Sequence, residues 1–140
     1  MNIRFNPCAL FVITALFIGC ASPSKFVKGF LGISVENLRN QKEGRFSTAL
    51  EIPYNECYAK ALLVLKDMKV EVFVEDKKNR CIGASKFDGV FPYCLSATEV
   101  GVFFEYKDEL STRIDVVSKN HRLAEFVLDK IQSKFNAKAG

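Results

Sequence analysis

Histidine is almost absent from this 140-residue chain, which holds only His121. A serine-type triad needs an imidazole between a nucleophile and an acid. His121 is the only base of that type, and its position at the start of a helical pattern suits a solvated or capping role. The five cysteines include no Cys-x-x-Cys pair that would tune a thiol. None of their spacings matches a zinc ligand set, so no metal site is expected. The glycines build no phosphate-cradling loop. Neither catalysis nor a cofactor is expected. The net charge of +4 is mild and lacks the clustered basic face that nucleic acid demands. Long apolar runs are missing too. A membrane-spanning helix needs roughly 20 apolar residues, whereas the stretch Cys8 to Ile18 has eleven, Thr14 among them.

That short run nevertheless carries the clearest message in the chain. Arg4 precedes it, Phe17-Ile18-Gly19-Cys20 ends it, and Ala21-Ser22-Pro23-Ser24 turns the composition polar. A basic start, a short apolar middle and small residues before a break form a secretory signal. Extending the run back to Phe5 takes in Asn6 and Pro7, and proline suits a helix interior poorly. A cleaved segment therefore fits better than a span. Cysteine directly after Gly19 resembles the lipoprotein class of signals, although Phe17 stands where leucine is commoner and the start holds one basic residue. The resemblance implies acylation of Cys20 as the new N-terminus, including an amide-linked palmitate-type chain. Two or more chains anchor a protein stably where one does so only marginally. Ala21 stands where aspartate would signal inner-membrane retention. That implies, for a Gram-negative host, an outer-membrane lipoprotein facing the periplasm.

Loss of residues 1–19 leaves 121 residues, enough for one small domain with a core. The expected organisation is a signal peptide at 1–19, a lipidated tether with a short helix at 20–43, an α+β domain at 44–136 and a frayed tail at 137–140. Besides Cys20, the mature chain holds Cys57, Cys81 and Cys94. In an oxidising compartment this set allows one disulfide and a free thiol, or no disulfide.

Alternation and helical spacing outline the domain. Ser34 is a candidate N-cap with Glu36 in the following turn, giving a short helix from Val35 to about Glu43. Before it, Phe26, Phe30 and Leu31 suit either a membrane-apposed patch or docking onto the domain. Arg45 to Ile52 alternates with period two and reads as a strand ended by Pro53. Tyr54 to Lys69 has Tyr58, Ala61, Leu62, Leu65 and Met68 at helical spacing, with Leu63 and Val64 widening the apolar stripe. Glu56 and Lys60 form a favourable i,i+4 pair. Val70, Val72 and Val74 alternate with Glu71, Phe73 and Glu75 in a second strand. The charged tip Lys77-Lys78-Asn79-Arg80 leads to a third, Cys81 to Phe87, weakened by Gly83. That tip suits a solvated hairpin better than a phosphate site.

The loop from Asp88 to about Ser96 carries Phe91 and Tyr93. They form either a contact surface or a plug at the end of the core. Thr98 to Tyr106 and Ser111 to Ser118 are the fourth and fifth strands. Setting Phe104 opposite Ile114 also sets Val102 opposite Val116 and Glu105 opposite Arg113. One register thus satisfies the apolar face and a charge pair. Asn120 is a candidate N-cap for a closing helix, Arg122 to Phe135, with Ala124, Val127, Leu128, Ile131 and Phe135 on one side. The expected fold is an α+β two-layer sandwich: an antiparallel sheet of about five strands with two long helices on one face. The other face should be polar apart from Phe73 and Phe103. Cys57 and Cys94 would then approach at one end, and any disulfide should join them.

Cys57-Tyr58 opening a helix, Thr98-Glu99-Val100-Gly101-Val102-Phe103-Phe104 and Thr112-Arg113-Ile114-Asp115-Val116-Val117-Ser118 resemble segments of a group of small, uncharacterised bacterial lipoproteins. Lys28-Gly29-Phe30-Leu31-Gly32-Ile33-Ser34 is similar to their segment after the lipidated cysteine. This resemblance spans most of the mature chain and implies no activity. The element order is also similar to helix-grip domains of outer-membrane assembly lipoproteins, which bind other proteins, an analogy of fold alone. The expectation is a non-enzymatic protein-binding or scaffolding module, held at a membrane through Cys20 and open to an envelope protein partner. The alternative is a carrier whose ten mature phenylalanines line an apolar cleft between sheet and helices.

Overall fold

The computed structural model describes residues 34–92 and 94–136. Cys20, the lead-in through Ile33, Tyr93 and residues 137–140 lie outside the described residues. Residues 34–40 are helical (α1), followed by β1 (Arg45–Leu50), α2 (Tyr54–Asp67), β2 (Glu71–Asp76), β3 (Cys81–Ser85), β4 (Val100–Asp108), β5 (Ser111–Ser118) and α3 (His121–Asn136). The five strands make one antiparallel sheet in the order β1-β5-β4-β3-β2. Strands β2 to β5 form a meander, and α2 carries the chain from one edge to the other. The expected α+β architecture is present.

Helices α2 and α3 cover one face. Fully buried Leu65, Ile82, Val100, Val102, Ile114, Val116, Leu123, Val127 and Ile131 meet between the layers, with Phe87 from the loop after β3. On α2 the stripe is Cys57, Tyr58, Ala61, Val64 and Leu65. Leu63 does not widen it and is 47% exposed. At about 100° per residue, Leu63 lies opposite Ala61 on the helix wheel. The Glu56–Lys60 pair forms at 2.6 Å. The helix ends at Asp67, two residues early, and Lys69 turns the chain with φ 58°. Asn120 caps α3 as expected, its Oδ1 accepting from the Leu123 amide at 3.2 Å.

The β4–β5 register is the expected one: Val102 pairs with Val116, Phe104 with Ile114 and Glu105 with Arg113. Strand β2 departs from simple alternation. Its register slips between Val72 and Val74, a bulge that gives Phe73 and Val74 the same side. Val72 packs into the main core while Phe73 and Val74 pack on the opposite face.

That opposite face is the main correction to the sequence-based picture. It is not polar around Phe73 and Phe103 but roofed by α1. Val35 and Leu38 of α1 are 5% and 4% exposed and pack with Cys81, Phe103 and Val117. Glycines make the seat. Gly83 and Gly101 are direct cross-strand partners. A Cβ on Gly83 would fall 2.8 Å from the Phe73 ring, and one on Gly101 would fall 2.7 Å from the Phe103 ring. With no Cβ there, both rings lie flat across the sheet beneath the helix. Helix α1 belongs to the same compact unit as the sheet, so the packed fold takes in 34–40 as well as 44–136. It ends at Asn40, short of Glu43.

Candidate functional site

Arginine 45 fastens α1 to the sheet. Its Nη1 donates to Asp115 at 2.9 Å, its Nε and Nη2 donate to the Gln41 carbonyl at 3.3 and 3.2 Å, and Nη2 also donates to the Arg39 carbonyl. Carbonyls at a helix C-terminus lack intrahelical donors, and a cation there also suits the helix dipole. Asp115 gathers Ser47 Oγ at 2.7 Å and Arg113 Nε at 2.9 Å as well. This polar lattice occupies the part of the sheet face that α1 leaves uncovered. The turn between α1 and β1 requires Gly44, whose φ is +66° and whose added Cβ would lie 2.1 Å from the Ser118 carbonyl.

At the other end α1 meets the residue before β4, where Ser34 Oγ donates to the Glu99 carboxylate. Ser34 is itself helical, and its hydroxyl goes to this distant acid. Beside the contact runs a recess of about 370 Å³ lined by Leu38, Leu95, Ala97, Thr98, Glu99, Lys119 and Asn120. A smaller recess of about 300 Å³ shares Leu38, Glu99 and Lys119 and reaches Asn37, Asn40 and Gln41. Leu95 stands 77% exposed at the rim.

The loop that supplies Leu95 divides its apolar residues. Phe91 is half-buried against Phe126 of α3, with ring centroids 5.1 Å apart, and Val90 packs on the same core. Phe91 thus lies as a plug at the edge of the layers. Leu95 is the loop's large exposed hydrophobic side chain among the described residues, and sequence reasoning missed it. The available signal was a leucine followed by Ser96 and Ala97, outside any helical or alternating pattern.

Cys57, Cys81 and Cys94 are free thiols, so the Cys57–Cys94 bond is not formed. Cys57 is fully buried in the first turn of α2. Burial pushes its thiol up from 9.0 to about 12, against the weaker opposing pull of Lys60. Burial also raises the Cys81 thiol. Both are held neutral, the reverse of an activated nucleophile. His121 is exposed at the start of α3. Among the described residues, no three His, Cys, Asp or Glu side chains converge to hold a metal.

The hairpin tip is stitched rather than open. Asp76 accepts from the Asn79 amide at 2.9 Å and from its side chain at 2.7 Å. These bonds, the backbone one foremost, hold the Asp76 carboxyl below its usual range. Arg80 lies over the rings of Tyr54 and Tyr106, 5.6 and 5.8 Å from their centroids. Tyr54 donates to the Lys77 carbonyl at 2.7 Å. The Arg80 charge of this tip thus lies on the fold's own edge, while Lys77 and Lys78 are exposed.

A second surface groove, about 630 Å³, lies outside the sandwich along α2 and α3, with Val64, Met68, Val90 and Phe126 below Asp67, Lys130 and Lys134. Its rim carries the Lys134–Asp67 pair at 3.1 Å. Both this groove and the recess at α1 are open to solvent, and the buried side chains of the main core pack together between the layers. No protein-family model matches the chain, and no curated protein compared with it matches either.

Proposed function

We propose that the chain is a lipid-anchored protein of the bacterial cell envelope whose domain acts as a non-enzymatic protein-binding or scaffolding module. The Gly19-Cys20 junction after a short apolar run carries the reading, as the expected acylation site. Among the described residues no helix is long and apolar enough to cross a membrane. Thirteen residues separate Cys20 from Ser34. Fully extended they reach at most about 45 Å, so the domain works close to the membrane surface, in the outer membrane facing the periplasm. The packed core between the layers supports a module that acts through its surface rather than a carrier. The outward Leu95 beside Glu99 and Lys119 is the surface best placed for an envelope protein partner, an apolar anchor ringed by charge. Growth with labelled fatty acid tests the anchor. Wild-type protein should take up label and Cys20→Ser should not, and unlabelled wild type rejects the proposal.

A further inference from the structure

The two edges of the sheet are built differently. Strand β2 is guarded: it carries a bulge, the acids Glu71, Glu75 and Asp76, and the Lys86–Glu71 pair at 2.6 Å. Such devices block strand addition. Strand β1 has an unbroken register over all six residues and no proline. The Gly44 carbonyl accepts from the Ser118 amide at 3.1 Å. By the two-residue alternation of antiparallel ladders, Phe46, Thr48 and Leu50 bond to β5, and the backbone groups of Arg45, Ser47 and Ala49 point away from the sheet. Among the described residues no backbone group pairs with those of Ser47 or Ala49.

The sequence along this edge is complementary to itself. A twofold antiparallel pairing must set outward-bonding residues against one another, which leaves two registers of greatest overlap, each pairing five of the six strand residues. One, centred on Ser47, places Glu43 opposite Glu51 of the second copy. The other, centred on Thr48, places Arg45 opposite Glu51, Phe46 opposite Leu50 and Ser47 opposite Ala49, with Thr48 facing Thr48 of the second copy. The Thr48-centred register has no like-charge pair, sets apolar residues against each other on the helix-covered face and stacks a threonine pair at the axis. Phe46 and Leu50 are each only half-buried at the edge of the core. Glu51 is exposed and makes no ion pair among the described residues.

We propose that β1 is a homodimerisation edge, joining two copies of this chain through an isologous antiparallel β1–β1 pair centred on Thr48. The two five-stranded sheets then run on as one ten-stranded sheet, and each copy closes the other's open edge. The interface is independent of acylation at Cys20, so failure of either leaves the other standing.

The test uses the full chain in mild detergent, followed by sedimentation across a concentration series. Wild type should dimerise with rising concentration. Ala49→Pro removes an outward amide without touching the bonds to β5, and should lower the association constant about tenfold or more through two lost hydrogen bonds per interface. Ala49→Lys, which removes no backbone donor, should weaken the dimer in the same direction with unchanged circular dichroism. Mild oxidation of Thr48→Cys should yield a cross-linked dimer beyond the wild-type background, and Ser47→Cys should yield much less. A wild type monomeric at all concentrations overturns the proposal, as does a dimer indifferent to both Ala49 changes. Stronger cross-linking by Ser47→Cys than by Thr48→Cys rejects the Thr48-centred register.

Discussion

The two faces of the sheet are covered by different means. On one, α2 and α3 bury a continuous layer in which whole side chains such as Ile114, Leu123 and Ile131 lose all exposure. On the other, α1 covers a small patch with Val35 and Leu38, and Arg45 and Asp115 hold the rest by hydrogen bonds. The large face draws its stability from apolar area. The small face depends on a close approach that only glycine permits, plus a polar clamp. Damage to the first should unfold the domain, whereas damage to the second should free α1 and leave the sandwich standing.

Substitutions on each face test this division, and the largest effect belongs to the main core. Ile114→Ala should cost about 2–5 kcal/mol in chemical denaturation, with every probe reporting one transition. Gly101→Val should cost about 1–3 kcal/mol by forcing the Phe103 ring and α1 apart. Its signature is faster amide exchange in residues 35–40 while α3 stays protected, and equal acceleration in both helices would break the comparison. Arg45→Ala should release the same helix at about 1–2 kcal/mol, because it strips hydrogen bonds from the helix end and from a mostly buried Asp115 carboxylate. Arg113→Ala should cost less, about 1 kcal/mol, since Asp115 loses its 2.9 Å bond from Arg113 but keeps those from Arg45 and Ser47, and the 3.8 Å approach of Arg113 to Glu105 is a surface contact.

The Cys57 thiol adds a pH test of the main face. Its folded value, pushed up by burial to about 12, lies above the ordinary 9.0. The stability it contributes is therefore complete below about pH 9 and declines as pH rises from there toward 12. Cys57→Ala should flatten that alkaline decline. Native protein at pH 8 should also protect Cys57 from a thiol reagent until unfolding, and rapid labelling of Cys57 would contradict its burial.

Legibility in the sequence follows the same division. The β4–β5 register could be read because two independent constraints, the Val102–Phe104 face and the Glu105–Arg113 pair, agree on one alignment. The α3 boundary could be read from Asn120 followed by helical spacing. The bulge at Phe73 could not, since Val72-Phe73-Val74 is apolar throughout and fits either side. The roof of the second face was hidden for a different reason. Gly83 and Gly101 become one seat only after β3 and β4 pair, and each alone reads as a weak point in its strand. For the candidate site, the sequence pointed to Phe91 in the loop, whereas the side chain left outward is Leu95. Local pattern does not say which apolar residue of an irregular loop finds the core.

The intact mass of the protein extracted from membranes tests the proposed anchoring most directly. The expected species begins at Cys20 and carries the added mass of a diacylglyceryl group and one amide-linked acyl chain. An unmodified N-terminus, or a chain retaining residues 1–19, would contradict the account.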